Sequence, residues 1–169
     1  IEGIVPRFPD DGCAGYLFGP AKARKSLLLC DFALSVATGT DALGKYPVRH
    51  PGSCVGFFAE DPRGEVSRRM HRLARGRNVE IPRDRIRLLD VHALALDDYE
   101  HQQRLVATLK SIPDLAFLWF DPMVRLHHVN DNHAEELAPV HTFLRTLARL
   151  LPQATLLFAH HANKEGGSR

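Results

Sequence analysis

The densest chemistry in the sequence lies in Gly19-Pro20-Ala21-Lys22-Ala23-Arg24-Lys25-Ser26. A glycine, four residues, a second glycine, a lysine and then Ser or Thr form a loop whose backbone N–H groups wrap an anionic phosphate. The positive end of a following helix adds to the same attraction. In such a loop Lys25 reaches the outer phosphates, the Ser26 hydroxyl ligates Mg²⁺, and Leu27 completes the cradle. One position departs from the pattern, because Arg24 stands where the second glycine belongs. Either the loop tolerates the extra Cβ and gains a cation, or the side chain crowds the phosphate and weakens binding.

Two carboxylates complement this loop. Asp121 closes the apolar run Leu115-Ala116-Phe117-Leu118-Trp119-Phe120 and is read as a magnesium ligand facing Ser26. Its structural alternative is a turn or capping Asp before Pro122. Glu60 follows Cys54-Val55-Gly56-Phe57-Phe58-Ala59 and is read as the general base that orients an attacking water, or else as an ordinary strand-end carboxylate. Asp61 could serve instead, though it reads more naturally as a cap for the next helix. Together these groups are chemically sufficient for metal-assisted hydrolysis of a γ-phosphate.

The elements that must position them alternate regularly. Strand-like runs at 16–18, 53–59, 86–89, 115–120 and 155–159 alternate with helical periodicities over 25–38, 63–75, 99–111 and 134–150. Gly39 stops the first helix, and the Gly- and Pro-containing stretch 40–52 reads as a loop. Strand then helix, repeated, calls for parallel strands covered by helices on both faces. Ligands of such sheets bind beyond the carboxyl ends of the strands, where Gly19, Glu60, Asp121 and His160 all fall.

Composition narrows the alternatives. The 169 residues, 44% hydrophobic and 25% charged, suit one domain, and a formal charge of +2 does not by itself argue for nucleic acid. No apolar run reaches the roughly 20 residues of a membrane span, and no basic-then-apolar leader opens the chain. The start, Ile1-Glu2-Gly3, has no Met and reads as a trimmed chain. Cys13, Cys30 and Cys54 lack metal-ligand spacing and read as buried free thiols in a reducing cytoplasm. Asp121 with His160 and His161 could in principle hold Zn²⁺, but the ten histidines show no helix-borne ligand spacing. The arginines between Arg63 and Arg87 could face phosphates, although charge runs on helices are usually solvated and no aromatics interleave here.

The segments Gly19–Ser26, Phe58-Ala59-Glu60-Asp61, Trp119-Phe120-Asp121-Pro122, Asn130-Asp131-Asn132 and His160-His161-Ala162-Asn163-Lys164 together resemble the RecA-like ATPases. Within these, the resemblance is to the branch of hexameric replicative helicases of plasmid RepA type. It implies a RecA-like P-loop NTPase core over 1–169, α/β with a mostly parallel sheet and helices on both faces, with further C-terminal strands expected beyond Arg169. It implies ATP and Mg²⁺ as cofactors, a homo-oligomeric ring, possibly a hexamer, and single-stranded DNA as partner. By the same resemblance Glu60 is the catalytic acid–base residue, Asp121 stands on the magnesium side, and His160 or His161 senses the γ-phosphate. Arg169, with Lys164 as second choice, acts as an arginine finger in a neighbouring subunit. The alternative, suggested by Arg24 and the short tail, is a nucleotide-binding regulatory or assembly module with little turnover. A small-molecule kinase would need an acceptor-binding lid that the sequence does not offer.

Overall fold

The computed structural model describes residues 13–20, 22–90, 94–128 and 134–161. Its elements follow the sequence periodicities closely. They are β1 (Cys13–Gly19), α1 (Lys25–Thr38), β2 (Ser53–Phe58), α2 (Arg63–Arg77), β3 (Ile86–Asp90), α3 (Tyr99–Lys110), β4 (Leu115–Asp121), α4 (Ala134–Leu150) and β5 (Thr155–His161), with a short 3₁₀ turn at Met123–Arg125.

The helix ends obey local chemistry. Gly39 closes α1 in the left-handed conformation (φ 74°) and donates its N–H to the Ser35 carbonyl. Asn78 does the same for α2, which runs one turn fraction past the expected Arg75 to Arg77. Asp98 caps α3 by accepting the His101 N–H at 2.9 Å. Pro139 lies inside α4, where its missing N–H spares only the carbonyl of the exposed Glu135.

All the strands are parallel, in the order β1-β5-β4-β2-β3. Alternation along them divides the core in two. Cys54, Phe58, Phe117, Trp119 and Ala159 pack under α1 and α2. Val55, Phe57, Leu118, Phe120, Leu156 and Phe158 pack under α3 and α4. β2, fully buried, and β4, buried except for half-buried Ala116, lie inside the sheet, as apolar runs covered on both faces must.

An aromatic row fixes the register across the sheet. Phe57 pairs with Phe120, and Phe120 with Phe158, with ring centroids 4.9 and 5.1 Å apart and planes nearly parallel. Tyr16 on β1 continues the row against Phe158 at 5.4 Å. On the other face Gly56 lies beneath the Trp119 indole, where an added Cβ would fall 2.2 Å from ring carbon Cζ2. Only a residue without a side chain fits there.

Candidate active site at the carboxyl ends of the strands

The register delivers the polar residues immediately beyond the aromatic row. Asp121 follows Phe120 and therefore points to the α1 side. The Ala59 N–H donates to the Asp121 carbonyl at 3.2 Å, extending the β2–β4 pairing by one bond and drawing Glu60 alongside Asp121. Gly19, the last residue of β1, pairs in register with His161 of β5.

The loop between β1 and α1 has an unusual backbone. Lys22 and Arg24 both take left-handed conformations, with φ of 66° and 62°, while Ala23 between them does not. Alternation of this kind turns successive N–H groups toward one point and makes an anion-binding concavity. Arg24 is the residue before α1 and makes no side-chain cap, and no acidic residue sits in the first turn. The first N–H groups of α1 therefore have no side-chain acceptor of the kind Asp98 supplies to α3. A Cβ on Gly19 would meet only ordinary contacts, the nearest being Ala23 Cβ at 3.4 Å. Internal packing does not demand that glycine, and its bare backbone leaves room for a ligand to approach closely.

Arg24 thus adopts the left-handed backbone that glycine adopts freely, and the residue is solvent-exposed. The chain accommodates the extra Cβ at a cost of about 1 kcal/mol in local strain.

Lys25 is 8% exposed, and its ammonium donates to the Gly19 and Pro20 carbonyls at 2.8 and 3.0 Å. The lysine reaches back across its own loop, which places its charge over the first turn of that loop. Ser26, one residue on, hydrogen-bonds the Asp121 carboxylate. Burial pushes the Asp121 carboxyl above its ordinary value, and the charges of Asp61 and Glu60 push the same way. The Ser26 hydrogen bond and the Lys25 charge oppose them. Asp121 Oδ2 is buried and has no hydrogen-bond partner among the described residues. A half-satisfied buried carboxylate next to a serine hydroxyl is the donor set a hard divalent cation requires, since Mg²⁺ takes few protein oxygens and fills its shell with water and phosphate. The residues present therefore fit the ion.

Glu60 and Asp61 differ in their surroundings. Asp61 forms an ion pair with Arg69 of α2 at 2.5 Å. It is not the expected helix cap: Pro62 occupies that position, and no side chain caps α2 there. Glu60 is more exposed, and its Oε1 accepts from Arg125 Nε at 3.5 Å. Arg125, which sequence reasoning missed, ends the 3₁₀ turn after Asp121. Its position one turn beyond a strand-end acid is the signal that could have found it.

His160 lies on the opposite face from Asp121, its ring 5.3 Å from that of Phe18. Asp121 and His160 are therefore not gathered into one ligand set. The side chain of His161, together with Ala21, Asn130-Asp131-Asn132, Lys164 and Arg169, lies outside the described residues. The arginine run is divided in use. Arg68 pairs with Glu65 and Arg69 with Asp61, while Arg77 is sunk between α1 and α2 on Asp31. Cys13, Cys30 and Cys54 are free and buried, and burial raises the Cys13 and Cys30 thiols to about 11 and 12. Such thiols pack and do not react.

A five-stranded parallel sheet with a phosphate loop after β1 and an acid at the end of β4 is the frame of a P-loop ATPase. The AAA domain family matches the chain over residues 1–167. The chain belongs to that family. No curated protein matches it. As an AAA domain it is a P-loop ATPase, a broader assignment than the helicase branch that the motifs resemble. No helix of this AAA domain, among the described residues, is long and apolar enough to cross a membrane.

Proposed function

We propose that this AAA domain hydrolyses ATP with Mg²⁺ and does so as a ring-forming motor on single-stranded DNA. The observation that carries the hydrolytic half is the Ser26 hydroxyl on the Asp121 carboxylate, with Asp121 Oδ2 buried and otherwise unpartnered. Ser26 and Asp121 would hold Mg²⁺, which supplies charge neutralisation at the β- and γ-phosphates. The backbone of 19–24 and the N-terminus of α1 cradle the phosphates, and the Lys25 ammonium turns from the Gly19 and Pro20 carbonyls to the outer phosphate oxygens. Glu60, beside Asp121 and open to solvent, orients the attacking water and takes its proton. His160, with His161 as the alternative, reports the γ-phosphate from the end of β5, and Arg169 acts across a subunit boundary. The motor half rests on the resemblance of the motifs and not on the fold.

Steady-state hydrolysis with and without a thymidine oligonucleotide tests both halves. Lys25→Ala and Glu60→Gln should each reduce turnover by about a hundredfold or more, in keeping with loss of a charge-stabilising or acid–base group. Turnover that survives both substitutions removes this reading, and turnover indifferent to the oligonucleotide removes the motor half. Arg24 favours the second reading, a nucleotide-binding module with little turnover. If Arg24 is what limits hydrolysis, Arg24→Gly raises kcat; if it is tolerated, kcat stays within a factor of about two.

A further inference from the structure

A group of titratable side chains gathers at the seam where α4 packs on β1, apart from the strand-end acids. Tyr16 stands in the middle of β1, and its hydroxyl and His141 Nδ1 of α4 share a hydrogen bond of 2.6 Å. The two rings also meet edge to face, with centroids 5.8 Å apart. Tyr16 touches Phe158 of β5 and Phe18 at 5.4 and 5.6 Å, and Phe18 lies 5.3 Å from the His160 ring. Among the described residues β1 is hydrogen-bonded to β5 alone, so side-chain contacts of this kind do for it what a second neighbouring strand does for β4. Three residues after Tyr16 the strand ends at Gly19 and enters the 19–24 loop.

His141 is half-buried. Besides Tyr16, the groups that act on it are Arg145 from α4, His127 from the segment after β4 and His160 from β5. The α4 carboxylates Glu135 and Glu136 are exposed in its first turn. Burial is the main cause that holds the His141 pKa below its ordinary 6.5, and the charges of Arg145, His127 and His160 act in the same direction. A proton added here therefore joins a group of like charges.

We propose that the Tyr16–His141 contact is a pH-sensitive latch: the neutral imidazole fastens α4 to β1, and its protonation releases β1 together with the loop that the strand carries. A neutral imidazole serves the Tyr16 hydroxyl as acceptor in one tautomer and as donor in the other, whereas an imidazolium only donates. The hydroxyl must then turn its own proton elsewhere, while Arg145 and two histidines that titrate in the same range repel the new charge. Opening the seam admits water to the imidazolium and separates these charges. The seam is fully closed above the ordinary value of 6.5 and opens as pH falls through the lower value that His141 has in the folded chain. A ligand that holds β1 in place must in turn resist protonation of His141, because linkage is reciprocal.

The test reads amide hydrogen-exchange protection factors of the whole chain at about pH 7.5 and about pH 5.5, a window in which an ordinary histidine changes charge. In the parent chain the protection of amides 14–19 should fall about three- to tenfold at the lower pH, while that of amides 117–121 in β4 holds. In His141→Gln, whose side chain still bonds the Tyr16 hydroxyl but takes no charge, β1 protection should be the same at both values. Tyr16→Phe, which keeps the ring and removes the hydroxyl, should leave β1 weakly protected at both. The proposal is overturned if β1 loses as much protection in His141→Gln or Tyr16→Phe as in the parent. A parent chain in which β1 loses none, or loses it together with β4, overturns it equally. A second readout rests on reading the 19–24 loop as the nucleotide's grip: between the two pH values the dissociation constant of Mg-ADP should rise about three- to tenfold more in the parent than in His141→Gln. A chain that binds no Mg-ADP while its β1 still responds to pH removes that reading of the loop and keeps the latch.

Discussion

Arg24 stands at the position where the motif has a glycine, and it takes a backbone that glycine would take without strain. Its φ of 62° is left-handed, so the departure from the motif adds a charge and local strain. In the middle of β1, the Tyr16 hydroxyl and His141 Nδ1 share a hydrogen bond of 2.6 Å, whose direction follows the imidazole tautomer. Burial holds the His141 pKa below its ordinary 6.5, with the Arg145 charge and those of His127 and His160 acting the same way. A folded-state pKa below the unfolded one contributes stability that is complete above the unfolded value and is lost as pH falls through the folded one. Denaturant midpoints measured downward from pH 7 should therefore drop, and by less in His141→Gln than in the parent chain.

Between α1 and α2 the decisive interaction is ionic. Arg77 reaches from the last turn of α2 to Asp31 Oδ1 at 2.9 Å, to Ser35 Oγ at 2.6 Å and to Thr40 Oγ1 at 2.7 Å. Asp31 Oδ2 in turn accepts the Leu43 N–H. Arg77→Ala would leave the Asp31 carboxylate nearly buried and half-paired, at a cost of about 3 kcal/mol, read as a shift in urea midpoint without a change in slope. Within the sheet, Gly56→Ala would force the Trp119 indole aside and cost about 2 kcal/mol by the same measurement. Neither feature was legible in the sequence. Helix periodicity, strand alternation and the cap glycine are local signals, so the bounds of α1 and α4 follow from them directly. The Arg77 network joins residues 37 to 46 apart, and nothing in a charge run says which arginine will be swallowed. The placement of the 19–26 loop between β1 and α1, and of the acids that end or follow β4 and β2, was legible because these segments are short and follow apolar runs. Arg125 was not, because its partner Glu60 lies 65 residues away, beyond the end of β2. The face that His160 takes depends on strand parity, which two adjacent histidines leave open until the register is known.

For the whole molecule, ligand binding and stability are linked. Mg-ATP at about a hundred times its dissociation constant should stabilise the fold by about 2.7 kcal/mol, seen as a rise in Tm. Chelating the metal should remove most of that rise if Asp121 and Ser26 hold it, and Asp121→Asn should show little rise at all. The strand order adds a mechanical consequence. The 19–24 loop hangs from β1, and among the described residues β1 is bonded to β5 alone, whereas β4 is held on both sides. On the proposed function, the loop that grips the nucleotide hangs from the outermost strand of the described sheet, while Asp121 stands on its central strand. In hydrogen-exchange experiments the amides of β1 should be the fast-exchanging ones without nucleotide and should slow most when it binds. Filling the loop would tighten the whole margin against the centre, and releasing the phosphate would let it breathe again.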